Sequence, residues 1–282
     1  MPRKLLAGFY VLVFLTACTL SPARHSDRQA MELGFERAVI PGNGFQHVVY
    51  RNRLSAPAGV LHVYLEGDGS PWIRERWISS DPGPRNPLML QLMSLDSAAS
   101  LYLGRPCYHG FSDQGACQPG LWTYGRYSTP VIEAMAQALG DIMRDQGYRH
   151  CVLIGYSGGG AIAMLLAERV PNVLAVVTIA GNLDPDEWTR YHEYSPLLTS
   201  LNPTRHQPLP AGIVQLHIAA ENDEVVPPEI TKAAAMHQRN AEFRVIPDHD
   251  HVCCWHELWP SVLEDLTEKI ENKVQSGRID QR

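Results

Sequence analysis

A basic surplus is missing from this sequence. Lys and Arg number 24 against 30 Asp and Glu, a formal net charge of −6, and no basic stripe interrupts that balance. Such a chain carries no electrostatic footprint for a nucleic-acid backbone. Its acidic surplus does not draw it to an anionic bilayer either, so membrane contact needs another device. A long apolar run is also missing. The stretch 5–15 holds eleven residues, where a spanning helix needs about 20. Repeats, low-complexity tracts and internal linkers are absent. What remains is a globular composition, 45% hydrophobic and 19% charged over 282 residues, enough for one large domain with a substantial core.

The N-terminus supplies the membrane device. Arg3 and Lys4 precede the apolar stretch 5–15, and Leu15-Thr16-Ala17-Cys18 follows it, the layout of a signal peptide. The Leu-Thr-Ala-Cys segment resembles the lipobox of bacterial lipoproteins; the bland alternative is a secretory signal with an incidental cysteine. The resemblance implies removal of residues 1–17 and lipidation of Cys18 as the mature N-terminus. Several acyl chains on one residue hold a membrane stably where a single chain does not. The implied location is the cell envelope. With Thr19 rather than Asp after the cysteine, it is the outer membrane if the host has one.

Export places the remaining cysteines where disulfides persist. Cys107 and Cys117 bracket a Gly- and Pro-containing loop and are expected to pair. Cys151 opens an apolar strand and is expected as a buried thiol. Cys253 and Cys254 stay unassigned; the length of a strand separates them from Cys151, beyond disulfide reach.

Beyond a polar linker, strand-like and helix-like patterns alternate. Strands are expected at 61–65, 98–103, 151–155, 174–180, 213–219 and 242–246. Helices are expected at 129–146, 159–169, 233–239 and 261–274. This alternation predicts an α/β fold, a mostly parallel sheet with helices on both faces. The expected organisation is a signal peptide over 1–17, the lipid-anchor cysteine and linker over 18–46, one domain over 47–275 and a tail over 276–282. Residues 182–210 form an insertion over the C-terminal edge of the sheet, where such folds bind ligands.

Gly155-Tyr156-Ser157-Gly158-Gly159 sits between an expected buried strand and an expected apolar helix. Gly-x-Ser-x-Gly in that setting is the turn that exposes a serine hydroxyl above a helix N-terminus, its glycines admitting a crowded backbone. By itself the pattern is common, and a small-residue helix cap is its bland reading.

From here the chain resembles the α/β-hydrolase superfamily over roughly residues 60–272, with the insertion following the sixth strand. The resemblance implies Ser157 as nucleophile. It implies an acid after the strand beyond the insertion, which falls on Asp223 with Glu221 as understudy. It implies a histidine a few residues past the last strand, which favours His251 over His249 in Asp248-His249-Asp250-His251. The chain order Ser, Asp, His is the order of this fold. The oxyanion hole needs two backbone N–H donors. One is Gly158; the other falls in Glu66-Gly67-Asp68-Gly69, at Asp68 with Gly69 beside it. Glu66 stands where the superfamily commonly has His.

The implied activity is a serine hydrolase acting on a small-molecule or lipid-like acyl ester, with no cofactor. Thioesterase, acyltransferase and peptidase chemistry share such a site. The alternative from another class is a non-catalytic lipoprotein that uses the fold to bind a ligand or an envelope partner. The cluster His249, His251, Cys253, Cys254 and His256 matches no common zinc spacing. The Trp and Tyr residues of Leu121-Trp122-Thr123-Tyr124-Gly125-Arg126-Tyr127 could line an acyl or aromatic pocket, but such residues are more often core and loop packing.

Overall fold

The structure is a computed structural model that describes residues 21–54 and 59–275. The signal segment 1–17, Cys18 and the tail 276–282 lie outside the described residues. Eight strands form one sheet: β1 (Glu36–Gly42), β2 (Phe45–Arg51), β3 (Val60–Leu65), β4 (Ser100–Leu103), β5 (His150–Tyr156), β6 (Val173–Ile179), β7 (Val214–Ala220) and β8 (Ala241–Ile246). Their order is β1-β2-β4-β3-β5-β6-β7-β8. From β4 to β8 every pairing is parallel, and β2 runs against both its neighbours.

The central strands read as continuous apolar runs because both faces are covered. On β5, Cys151 and Leu153 point to one side, into a core shared with α3 (Thr129–Gln146) and α4 (Gly158–Ala167). Val152 and Ile154 point to the other, packing with α2 (Leu88–Ser94) and α7 (Trp255–Gln275). The two-residue period of a strand thus feeds two cores at once. All ten residues of α4 are buried, as a helix apolar on every side must be. α3 ends where Gly147 takes a left-handed φ of 76°, the usual glycine stop.

The linker expected over 18–46 is folded from residue 21 onward. α1 (Pro22–Glu32) starts on a proline and is capped by Ser21. β1 and β2 pair as a hairpin from Glu36 opposite Arg51 to Gly42 opposite Phe45. Apolar patterning misses α1 and β1 for a physical reason. α1 buries only Ala23, Ser26 and Ala30, and β1 is an edge strand with mostly exposed or half-buried residues. Two helices start earlier than expected. α6 (Pro228–His237) begins on a proline at its first position. α7 begins before Pro260, a residue that usually marks a helix boundary and here lies inside one.

Cys107 and Cys117 are disulfide-bonded, with Cα atoms 5.4 Å apart. The adjacent Cys253 and Cys254 are bonded to each other. Cys151 is a buried thiol, and burial pushes it up to about 12. Among the described residues, no helix is long and apolar enough to cross a membrane.

The insertion after β6 carries α5 (Pro185–Tyr191), capped by Asp184. It is tied over the strand ends by Trp188, whose Nε1–H donates to Val225 O at 2.7 Å. A second segment over those ends, between β3 and α2, has no counterpart in the sequence expectations. It contains a short two-stranded ribbon pairing Trp72 with Ile78 and Ile73 with Trp77.

Candidate active site

The serine turn is built by its neighbours. β5 ends at Tyr156 and α4 begins at Gly158, so Ser157 alone reverses the chain, at φ 51° and ψ −123°. A side-chain-bearing residue enters that region only when its surroundings hold it. Here Ser157 N–H donates to Ile179 O at 3.0 Å, and Ser157 O accepts from the N–H groups of Gly160 and Asn182, each at 2.9 Å. Gly159 is needed because a Cβ there would sit 2.1 Å from Leu65 O.

His251 Nε2 lies 3.1 Å from Ser157 Oγ, and His251 Nδ1 lies 2.8 Å from Asp223 Oδ2. Asp223 is buried, and its Oδ1 accepts from the N–H groups of Val225 and Val226 at 2.9 and 2.7 Å. Two lone-pair directions are thereby used to aim the third at the imidazole. The His251 carbonyl accepts from Tyr156 OH and Trp255 Nε1, both at 3.0 Å. These fix the loop that carries the ring. His249 faces elsewhere: its Nδ1 meets Pro247 O at 2.9 Å and its ring packs edge-on to Trp255. Glu221 instead accepts from Asp248 N–H. The structure therefore brings Ser157, His251 and Asp223 together and leaves His249 and Glu221 aside. Among the described residues, no group of three or more His, Cys, Asp or Glu is arranged to hold a metal.

The turn after β3 lies against the serine. A Cβ on Gly67 would meet Ser157 Cβ at 3.4 Å. Asp68 and Gly158 N–H groups have no protein acceptor among the described residues, the state needed to receive a developing oxyanion. Gly69 N–H likewise has no protein acceptor among the described residues, and at φ 67° a Cβ there would meet Pro82 O at 2.2 Å.

Asp68 contributes more than its amide. Its carboxylate is held by Arg105 Nη1 and Arg126 Nη1, each at 2.8 Å, and by Tyr127 OH at 2.7 Å. Burial alone would raise its pKa. The two guanidinium charges and the hydrogen bonds from Arg126 and Tyr127 outweigh that and hold it at about 2. A Cβ on Gly158 would fall 1.9 Å from Asp68 Oδ1, so any larger residue after the serine has to displace the Asp68 carboxylate. Glu66 is buried, and burial pushes its carboxyl up to about 7 against the N–H groups of Gly67 and Met89 and the charge of Arg105.

Arg105, Arg126 and the Asp68 side chain were not legible beforehand. Arg126 and Tyr127 belong to the stretch read as packing, and no local signal marks the first as the partner of a carboxylate 58 residues away. A cavity of about 780 Å³ opens beside Ser157 and His251, walled by Trp72, Tyr124, Arg126 and Trp188. That volume suits a small-molecule ligand.

The sheet order, the strand-serine-helix turn and the insertion after the sixth strand define an α/β-hydrolase fold. A family model for the alpha/beta hydrolase fold matches residues 106–196, a span that contains Ser157 but neither Asp223 nor His251. No curated protein matches the sequence. Among solved structures, Est1E from Butyrivibrio proteoclasticus with ferulic acid bound superposes at a TM-score of 0.62 and 12% identity. That match covers 83% of this chain and 99% of the other. An esterase from Pyrococcus furiosus superposes at 0.59 and 14% identity, over 85% and 93% of the two chains. A thermophilic esterase from Thermogutta terrifontis gives 0.52 and 16%, over 83% and 99%. At these identities the likeness is one of fold.

Proposed function

We propose that the chain is a serine hydrolase that cleaves an ester-type acyl bond through an acyl-enzyme, anchored in the cell envelope through Cys18. The observation that carries the reading is the continuous link from Ser157 Oγ to His251 Nε2 at 3.1 Å and from His251 Nδ1 to Asp223 at 2.8 Å. Esterases among the structures of similar fold support the reaction class. A non-catalytic binder would tolerate a closed serine or a histidine turned away; here the serine borders a cavity and the ring faces it.

In the proposed mechanism, His251 Nε2 takes the Ser157 hydroxyl proton as Oγ bonds to the substrate carbonyl carbon. The carbonyl π electrons move onto oxygen, which accepts hydrogen bonds from Gly158 and Asp68 N–H at the positive end of α4. The intermediate collapses with expulsion of the alcohol, which receives the proton from His251. Water, deprotonated by His251, then repeats the sequence on the acyl-serine and releases the carboxylic acid. Asp223 keeps the imidazole in the tautomer that presents Nε2 to the serine and stabilises the imidazolium.

A fluorophosphonate probe tests the nucleophile. The folded chain is expected to gain one adduct on Ser157, located by peptide mass spectrometry. His249→Ala keeps the adduct and His251→Ala loses it. A folded wild-type chain that takes no label sinks the hydrolase reading. Anchoring is tested separately, by fractionation: Cys18→Ser is expected to move the protein from the membrane to the soluble fraction. An unchanged distribution argues for a different attachment.

A further inference from the structure

The ribbon after β3 is an unusual surface. Its sequence is Trp72-Ile73-Arg74-Glu75-Arg76-Trp77-Ile78, and Arg74 and Glu75 turn it at φ 51° and 57°. Trp72 walls the cavity and packs edge-on to Tyr124 with ring centroids 5.8 Å apart. The cross-strand pair Ile73 and Trp77 points the other way and stays in water, at 39% and 64% exposed, with Ile78 at 46%. Arg76 lies over the Trp77 ring at 5.7 Å, and Arg74 is exposed, while Glu75 borders the cavity. A finger presenting an aromatic, two branched aliphatics and two arginines is a costly surface to leave in water. It has the composition that sits at a membrane interface, where ring systems occupy the headgroup level and arginines meet phosphates.

The attachment of the chain selects the occupant. Three residue steps separate Cys18 from Ser21, the cap of α1, a span of at most about 11 Å when fully extended. α1 begins beside the base of the ribbon. Ala23 N–H donates to Asp81 Oδ2 at 3.1 Å, a Cβ on Gly83 would meet Pro22 Cβ at 3.3 Å, and Ser79 N–H closes the ribbon on Pro71 O at 3.0 Å. A tether this short, ending there, holds the ribbon and the cavity mouth close to the bilayer that carries the acyl chains.

We propose that the Trp72–Ile78 ribbon docks the cavity mouth onto the phospholipid membrane bearing the protein's own anchor. Ile73 and Trp77 enter the boundary between headgroups and acyl chains, and Arg74 and Arg76 meet headgroup phosphates. The substrate class that follows is an acyl ester resident in that membrane, entering past Trp72. The proposal rests on the reading of Cys18 as the anchor and Ser157 as the nucleophile.

The test uses the full chain, as isolated from the envelope, reconstituted on vesicles of phosphatidylethanolamine and phosphatidylglycerol with brominated acyl chains. Brominated lipid is expected to quench part of the tryptophan emission, and the quenched part disappears in Trp77→Phe. An Ile73→Ser, Trp77→Ser double variant is expected to hydrolyse an ester embedded in the vesicles about tenfold more slowly, as loss of two interfacial apolar side chains implies. Its hydrolysis of a short soluble ester stays at the wild-type rate, because neither side chain lines the cavity. Quenching identical in wild type and Trp77→Phe overturns the docking, whether the anchor alone holds the protein or an envelope protein covers the ribbon. Absence of soluble-ester hydrolysis in wild type overturns the hydrolase reading instead, and leaves the quenching result to judge the ribbon.

Discussion

Replacing Ser157 by Ala is expected to lower kcat for a soluble acyl ester about 10⁶-fold, the scale set when a nucleophile of this kind is removed. His251→Ala should cost about the same, and the double variant no more, because the two groups act in one proton transfer and its loss is felt once. Asp223→Asn should cost about 10⁴-fold. An Asn there still occupies the turn closed by Val225 and Val226 N–H, but it offers His251 the wrong tautomer and no charge for the imidazolium. KM should move little in all three, since the substrate is walled by the cavity rather than by these side chains. Steady-state kinetics on the purified variants checks the pattern. Additive losses, or a Ser157→Ala variant within tenfold of wild type, would assign the chemistry to other residues.

Asp68→Asn is expected to cost about 3–5 kcal/mol of stability, the effect of removing one partner from a buried ion pair. The change keeps the volume of the side chain. It leaves two enclosed guanidinium groups, Arg105 and Arg126, facing an amide where each had a carboxylate oxygen at 2.8 Å. Denaturation should read this as a fall in Tm on the order of 10 °C. The pH dependence has a definite sign. Asp68 is held at about 2, below its ordinary 3.8, so its stabilising contribution is present above about pH 4 and is lost as pH falls toward 2. Wild type should weaken through that window, and the Asn variant should lack that step. Catalysis should suffer too, because the carboxylate rests against Gly158 and sets the spacing of the two oxyanion donors. Misplacement by about 1 Å is worth about 100-fold in rate. A variant with wild-type stability at pH 7 would mean that the two arginines find other partners.

Much of this molecule is legible along the chain. The order of the sheet strands from residue 61 onward, with α3, α4, α6 and α7 among them, follows from apolar runs and their period, because each central strand is buried on both faces; α2 and α5, seven residues each, are too short to leave a period of their own. The turn around Ser157 announces itself, since a strand, a left-handed residue and a helix within a few positions require small neighbours. The order Ser157, Asp223, His251 places one candidate after each of three strands.

Tertiary structure decided the rest. α1, β1 and the ribbon at 72–78 bury too little to leave a period. His251 rather than His249 reaches Ser157 because Tyr156 and Trp255 clamp its carbonyl from separate elements. Asp68 carries a structural carboxylate because Arg105 and Arg126 converge on it across 37 and 58 residues of chain. Local sequence determines which backbone a segment prefers. Which buried charge finds which partner, and which side chain turns toward a nucleophile, depends on groups that only folding brings within a few ångströms.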